Sequence, residues 1–297
     1  MTEETRMQLQ TGDPAARARV DAPKTRGSIA VRRAWQGGLS SSLWGHRYTL
    51  LSWLTVATFL TAWWLVTTFH LVELLVLPSP QDIASEFRTL LTAGYSNKPL
   101  YEHIKASALR SMTGLLGGIA LGIPLGLLMG YYQTASAILR PIFSFLRPIP
   151  PIAFIPLVIL LFGIGEFSKI LLIFVASLNF VVLNTSAGMR SVPDHLLRAG
   201  KNLGLSQRQL FASVMFPAAL PHIMTGVRTA TVISWAIVVA AELIAAQSGL
   251  GYIIQDAGTF FRITDVYIGI IIIGLIGLTL ESILLSLERR LLHWQGK

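Results

Sequence analysis

Long apolar segments alternate with shorter polar ones along most of this chain. An apolar run at 50–69 is followed by a more polar stretch, 70–104, and further apolar runs then fill most of 105–288. Several runs reach the roughly twenty residues that an α-helix needs to cross the hydrocarbon core of a bilayer. The pattern predicts an all-α polytopic membrane protein with six transmembrane helices, at 50–69 and at about 107–131, 141–162, 169–188, 222–246 and 266–287.

The first 49 residues are polar and rich in arginine. They hold too few apolar side chains to offset the entropy lost on ordering, so we expect a mostly disordered basic tail. The stretch 70–104 is expected to be a loop on the opposite side of the membrane. A short helix should begin there after Pro80, with Asp82 in its first turn.

Glycines recur every four residues down one face of the second span, at Gly114, Gly118, Gly122, Gly126 and Gly130. In lipid, small residues at this spacing let two helices approach closely, and van der Waals packing then holds them together. The stripe predicts a helix-packing seam. The alternative is a face that leaves room for a solute.

The third span contains five prolines, Pro141, Pro148, Pro150, Pro151 and Pro156, and cannot be one regular helix. Irregular backbone at membrane depth is tolerated where it is buried in protein or lines a watery cavity. Arg147 lies in the same stretch. Either its side chain faces the interior of the bundle, as a candidate pathway residue, or it reaches the inner surface.

Among the polar residues inside the apolar spans, three more are of interest: Asn179, Ser234 and Glu242. Each is a candidate pathway or gate residue, but a hydrogen bond between helices is an alternative for Asn179 and Ser234. Glu242 needs a donor if it is buried. Otherwise it lies at the level of the outer headgroups.

A polar island separates the fourth and fifth spans. Leucines at helical spacing follow Pro193, and Gly204 suits the left-handed position just past a helix end. Ser206 with Gln209 predicts a capping box that starts a second short helix, which Pro217 and Pro221 should bend or break. A helix, a glycine corner and a second helix would form a unit well shaped for another protein to grip.

Composition and charge support the membrane assignment. The chain is 53% hydrophobic and 13% charged, and it contains no cysteine, which excludes disulfides and iron–sulfur clusters. The net charge of +9 does not indicate nucleic acid, because sixteen Lys and Arg fall in segments on the side of the tail and five on the other side. The positive-inside rule then places both termini, including 289–297, in the cytoplasm.

Catalytic and cofactor motifs are missing from the sequence. No G-x-x-x-x-G-K-[ST] run occurs, so the chain is not expected to bind ATP through a P-loop. The six histidines are scattered without a carboxylate cluster, and we expect no metal, no cofactor and no enzymatic site. If ATP hydrolysis drives transport through these helices, the ATPase is a separate chain.

The island resembles the cytoplasmic coupling loop of ABC-importer permeases, whose loose consensus is Glu-Ala-Ala, three residues, Gly, nine residues, Ile-x-Leu-Pro. The glycine, the proline and both spacings match, whereas the glutamate is replaced by Arg198 and the second alanine by Gly200. The resemblance implies a coupling loop at 190–217 that contacts an ATPase through Arg198, Ala199, Gly200, Leu203, Gly204, Ser206 and Pro217. It also implies the type I importer permease fold, with a core at 105–288.

Two other stretches, 147–173 and 238–258, resemble the permeases of taurine, alkanesulfonate and nitrate importers, most closely the taurine type. This implies an inner-membrane homodimer with two ATP-binding subunits and a periplasmic binding protein, carrying a small anionic sulfonate. Nitrate or bicarbonate, a thiamine precursor or an aromatic acid are alternatives. An ion-coupled secondary carrier is a further alternative, but it normally needs more acids inside the membrane and often internal repeats.

Overall fold

The computed structural model describes residues 41–73 and 76–294, with residues 41–47 and 245 described by their backbone only. Residues up to Leu65 and residues from Val66 onwards form two units. The α-helices in chain order are α1 (Ser41–Thr68), α2 (Pro80–Ala93), α3 (Leu100–Tyr131), α4 (Gln133–Leu146), α5 (Ile155–Phe162), α6 (Glu166–Arg190), α7 (Asp194–Asn202), α8 (Gln207–Leu210), α9 (Phe216–Ala245), α10 (Leu250–Thr259) and α11 (Ile263–Leu291).

The predicted all-α polytopic fold is confirmed. Within 41–73 and 76–294, five helical segments are long and apolar enough to cross a membrane, and a sixth arises if the bent pair containing α4 and α5 counts as one span. Most of the predicted basic tail, residues 1–40, lies outside the described residues, as do residues 295–297. The first helix already begins at Ser41, ahead of the predicted span at 50–69.

The second unit is built around α6, which packs along α3 on one side and along α9 on the other. The glycine stripe of α3 faces α6: an added Cβ at Gly114 would lie 2.6 Å from the Cβ of Ile173, and one at Gly122 would lie 2.8 Å from that of Val181. Gly118, Gly126 and Gly130 oppose Ser177, Thr185 and Met189 in the same register. The backbones of α3 and α6 can therefore approach this closely only because these five residues are glycines, which have no side chain.

Helix α10 and helix α11 complete the core near one end of this bundle. Apolar side chains of α10, among them Leu250 and Ile253, pack with Ile268 of α11 and with Val238 of α9. We refer below to the two ends of the bundle as the Glu166 end and the Arg190 end, after the first and last residues of α6. The short helix α2 begins at Pro80, where a helix was predicted. A capping box between Ser79 and Asp82 stabilises its first turn.

The proline-rich third span is broken, in agreement with the prediction. Helix α4 ends at Leu146, a 3₁₀ turn follows at Pro151–Phe154, and the axis of the second part lies at 89° to the first. Prolines lack the N–H that the next helical turn needs, so the chain turns where several of them follow one another.

Pro217 and Pro221 were predicted to bend or break the helix after Ser206, and the break does not occur. A π-helical segment, Phe211–Met215, joins α8 to α9, and the helical path runs without a break from Gln207 to Ile244. Pro217 is the second residue of α9, directly after the π-helical segment, and Pro221 lies further inside α9. The wider π turn accommodates the change of hydrogen-bonding pattern just before the first proline.

Candidate functional site

The residues of the predicted coupling loop form a helical corner at the Arg190 end. Gly204 follows α7 with φ +77°, and nothing lies within 4 Å of the position that a Cβ would occupy there. Ser206 accepts a hydrogen bond from the Gln209 N–H, while the Gln209 side chain accepts one from the Ser206 N–H. The corner is thus set by a left-handed glycine and a capping box, the two features that the sequence indicated.

Most of these coupling residues lie on the surface. Arg198, Ala199 and Ser206 are exposed, and the Leu203 side chain is 81% exposed. A leucine this exposed at the tip of a corner is an apolar contact point that none of the described residues covers. Helix α7 itself is strongly amphipathic, with charged residues between its leucines.

Two of the predicted coupling residues have an internal position instead. Gly200 is buried, and a Cβ added to it would lie 2.6 Å from Cδ1 of Leu210. Pro217 is half-buried at the start of α9. Gly200 thus packs α7 against α8 and Pro217 lies at the start of α9, whereas Leu203 and its exposed neighbours lie on the surface.

A cavity of about 150 Å³ lies between the broken span and α6. Two of the four predicted pathway residues, Arg147 and Asn179, line it together with apolar side chains. Arg147 is exposed and follows the last turn of α4, and Asn179 is 6% exposed on α6. The structure therefore brings together an arginine and an asparagine that are 32 positions apart in the sequence, as their numbers show.

Ser234 and Glu242 lie elsewhere. The Ser234 hydroxyl lies 2.7 Å from that of Ser177, so it joins α9 to α6. This matches the helix-to-helix hydrogen bond that was the alternative for a polar residue inside a span. Glu242 is fully buried at the Glu166 end, away from the cavity.

Glu242 belongs to a charged network that the sequence did not predict as a unit. Arg110 Nη1 donates to Glu242 Oε1 at 2.6 Å, and Arg110 Nε donates to Glu166 Oε2 at 2.5 Å. Lys169 Nζ lies 3.1 Å from the same Glu166 carboxylate. The arginine and Glu242 are buried, while the Glu166 side chain is 60% exposed, so the network runs from the core to the surface.

Backbone and hydroxyl groups complete the coordination of Glu242. Ser107 Oγ donates to its carboxylate at 2.8 Å, and the Gly251 N–H donates to Oε2 at 3.0 Å. Arg110 also donates to the Ser248 carbonyl at 2.7 Å. The network therefore fixes the loop between α9 and α10 against α3. One feature of the sequence could have indicated this network: Arg110 lies within the second predicted span and is a donor with which an acid inside the membrane can pair.

A second polar cluster, centred on Tyr95, lies beside the Glu166 end of the second unit. Tyr95 is 2% exposed, its hydroxyl donates to Asp256 at 2.8 Å, and the Arg262 guanidinium lies 4.9 Å from the centre of its ring. Burial, followed by the hydrogen bond to the Asp256 carboxylate, raises the pKa of the Tyr95 phenol. His103 stacks on Tyr252, its Nε2–H donates to the Tyr95 carbonyl at 3.2 Å, and its Nδ1 accepts from the Gly249 N–H, which ties α3 to α10.

The helical architecture, the exposed corner at residues 194–210 and the broken span are features of a membrane permease. The chain belongs to the family of binding-protein-dependent transport system inner membrane components, whose model matches residues 122–293. Its fold is that of a type I ABC importer permease. In a solved structure of the MetNI methionine ABC transporter in an inward-facing conformation, a chain of 19% identity aligns with a TM-score of 0.54, covering 65% of this chain and 95% of that one.

Curated relatives cover most of the sequence. The taurine transport system permease protein TauC of Escherichia coli K12 is 41% identical over 90% of this chain and 95% of its own length. The putative aliphatic sulfonates transport permease protein SsuC of Bacillus subtilis 168 is 36% identical over 81% of this chain and 86% of its own. Both are named as transport permeases rather than enzymes.

Proposed function

We propose that the chain is the permease subunit of an ATP-driven importer of small sulfonates, with taurine as the first candidate. The observation that carries this proposal is the 41% identity to a taurine permease along 90% of the chain. The relative named for aliphatic sulfonates supports the same class of solute. The permease does not hydrolyse ATP, which a separate subunit does.

The exposed corner at 194–210 is the surface on which that ATPase acts. Leu203 and the exposed face around Arg198 and Ser206 fit a groove on the ATPase, and buried Gly200 and half-buried Pro217 transmit the movement of the ATPase to the bundle. Because the helical path continues from Gln207 into α9 without a break, a displacement of the corner shifts a membrane-spanning helix directly. Arg198 replaces the glutamate of the coupling-loop consensus, so its partner on the ATPase is an acceptor.

Two copies of the chain, two ATPase subunits and a periplasmic binding protein make up the complete importer. Both termini lie in the cytoplasm, because flipping the chain would invert a threefold bias of Lys and Arg. The tail at 1–49 and the C-terminal residues 289–297 are then cytoplasmic, and 70–104 is periplasmic. The Glu166 end of the bundle faces the binding protein.

Deleting the gene in its own host tests the proposal. Uptake of radiolabelled taurine should be lost in the deletion strain and restored by the full chain. Excess unlabelled ethanesulfonate should compete, and excess nitrate should not. Unchanged uptake of taurine and ethanesulfonate in the deletion strain would contradict the sulfonate assignment, and competition by nitrate alone would move it to an inorganic anion.

A further inference from the structure

We infer that the cavity beside the broken span is a binding site for aminoalkanesulfonates, in which Arg147 binds the sulfonate and Asn179 receives the ammonium group. The inference rests on the proposed function and adds the residues that recognise the two ends of the solute. It also predicts which sulfonates the permease prefers.

Arg147 differs from the other arginines that fall inside the spans. Arg110 is paired with Glu166 and Glu242, and Arg228 is paired with Glu281. The Arg147 backbone N–H donates to the Phe143 carbonyl, but its guanidinium has neither a hydrogen bond nor an ion pair in the part of the chain that the structure describes. A cation in a membrane span normally pairs or marks the path of a solute. Its fork of donors matches the oxygens of a tetrahedral anion such as a sulfonate.

Asn179 has the complementary property. Its Oδ1 is buried and accepts no hydrogen bond within the described residues, although the amide lines the cavity. A buried acceptor without a donor is costly, and a primary ammonium group supplies up to three N–H donors. The terminal torsion of an asparagine is broad, so the amide can turn its oxygen toward a ligand without strain.

The rest of the cavity explains why the site should be selective. The described lining residues include no carboxylate, and most are apolar, among them Leu146, Phe154 and Val175. An ammonium group in this cavity therefore has Asn179 as its side-chain acceptor, while an alkyl group would meet apolar walls. The volume is below the roughly 300–1,000 Å³ of pockets for drug-sized ligands, which suits a small solute.

The test uses the purified full-length chain in lipid nanodiscs and follows thermal stabilisation by taurine, ethanesulfonate and ethylamine. A ligand that binds only the folded state raises the melting temperature with its concentration. We expect taurine to stabilise the wild-type chain at concentrations about tenfold lower than ethanesulfonate, since only taurine satisfies Asn179. Ethylamine, which lacks the anion, should not stabilise it.

Three variants assign the roles. Asn179→Leu should bring taurine to the level of ethanesulfonate, and Arg147→Gln should remove stabilisation by both. Asn184→Leu is the matched control, because Asn184 lies on the same helix and already donates to the Phe180 carbonyl at 2.8 Å. It should keep the preference for taurine. Arg147 is exposed, so its variant tests the site even if Asn179→Leu folds poorly.

Several outcomes overturn the inference. One is a preference for taurine that survives in Asn179→Leu, and another is unchanged binding by Arg147→Gln. A wild-type chain that taurine does not stabilise also overturns it. In these cases the proposed function stands if the host strain still loses taurine uptake on deletion of the gene. If that uptake is unaffected, the proposed function fails as well.

Discussion

Arg110 and Glu242 form a buried ion pair, with 2.6 Å between Nη1 and Oε1. The two residues are separated by 132 positions and lie on α3 and α9. Glu166 of α6 contacts the same arginine, so one guanidinium joins three helices of the bundle. The ion pair thus links these helices at the Glu166 end in addition to the apolar packing of Leu172, Val238 and Ala241.

Neutralising this acid should weaken the bundle. Glu242→Gln leaves Arg110 with Glu166 alone, and breaking a buried pair typically costs about 3–5 kcal/mol. We expect the variant to insert into the membrane but to melt at a lower temperature in detergent and to transport less. Glu102→Gln is the control, since Glu102 is exposed on the same side of the bundle and is not part of the network. Equal melting temperatures for wild type and Glu242→Gln would contradict the structural role of the pair.

The glycine seam gives the second prediction. Gly122→Leu would push a branched side chain into Val181, whose Cβ lies 2.8 Å from the position of an added Cβ. Overpacking usually costs about 1–3 kcal/mol and more where two backbones are close. The yield of folded protein in mild detergent should fall sharply. Gly274→Leu is the comparison, because an added Cβ at Gly274 meets nothing within 4 Å. A normal yield for Gly122→Leu would show that this face is open.

The third prediction concerns pH and Tyr95. The folded protein holds the phenol pKa above its usual value of about 10, so above that pH the unfolded chain loses the proton first. The contribution of Tyr95 to stability is complete below about pH 10 and is lost as the pH rises beyond it.

Tyr95→Phe should therefore lower the free energy of unfolding near neutral pH by about 1–3 kcal/mol, because the hydrogen bond to Asp256 is lost. The difference from wild type should shrink as the pH rises above about 10. Melting curves over this range measure it, with Tyr101→Phe, whose side chain is 64% exposed, as the control. A constant difference at every pH would exclude the linkage.

Local signals in the sequence predicted the spans and the corner, because they depend on neighbours along the chain. The left-handed Gly204 and the Ser206 capping box are of this kind, as is the break among the prolines of the third span. The regular spacing of glycines from Gly114 to Gly130 is also a local signal, because it lies within a single helix. Its partner helix, α6, came from the structure.

Relationships between distant segments could not be predicted in this way. The sequence indicated that Glu242 needs a donor, but choosing Arg110 requires the packing of α3 against α9. A break at Pro217 or Pro221 was one of the two predicted outcomes and does not occur, because the π-helical segment Phe211–Met215 leads directly into α9. The shared cavity of Arg147 and Asn179 depends on how the broken span folds back on α6.

The fourth prediction tests the corner at Gly204. Because its φ is +77°, a residue with a branched Cβ is penalised by about 1 kcal/mol or more, and α8 would be re-aimed. Gly204→Val should leave insertion and dimerisation intact but abolish stimulation of ATP hydrolysis by the loaded binding protein. Gly204→Asn is the matched variant, since asparagine tolerates the left-handed region and should retain most of the stimulation. Full stimulation in Gly204→Val would refute the role of the corner in coupling.

The most direct measurement is transport by proteoliposomes that contain the chain with its ATPase subunit. Radiolabelled taurine and the binding protein are added on the side of the Glu166 end, and ATP is added on the side of the corner at 194–210. We predict taurine accumulation that requires ATP, the ATPase subunit and the binding protein together, and that disappears in Gly204→Val. Taurine accumulation by the chain alone, driven by an ion gradient without ATP, would contradict it and identify a secondary carrier.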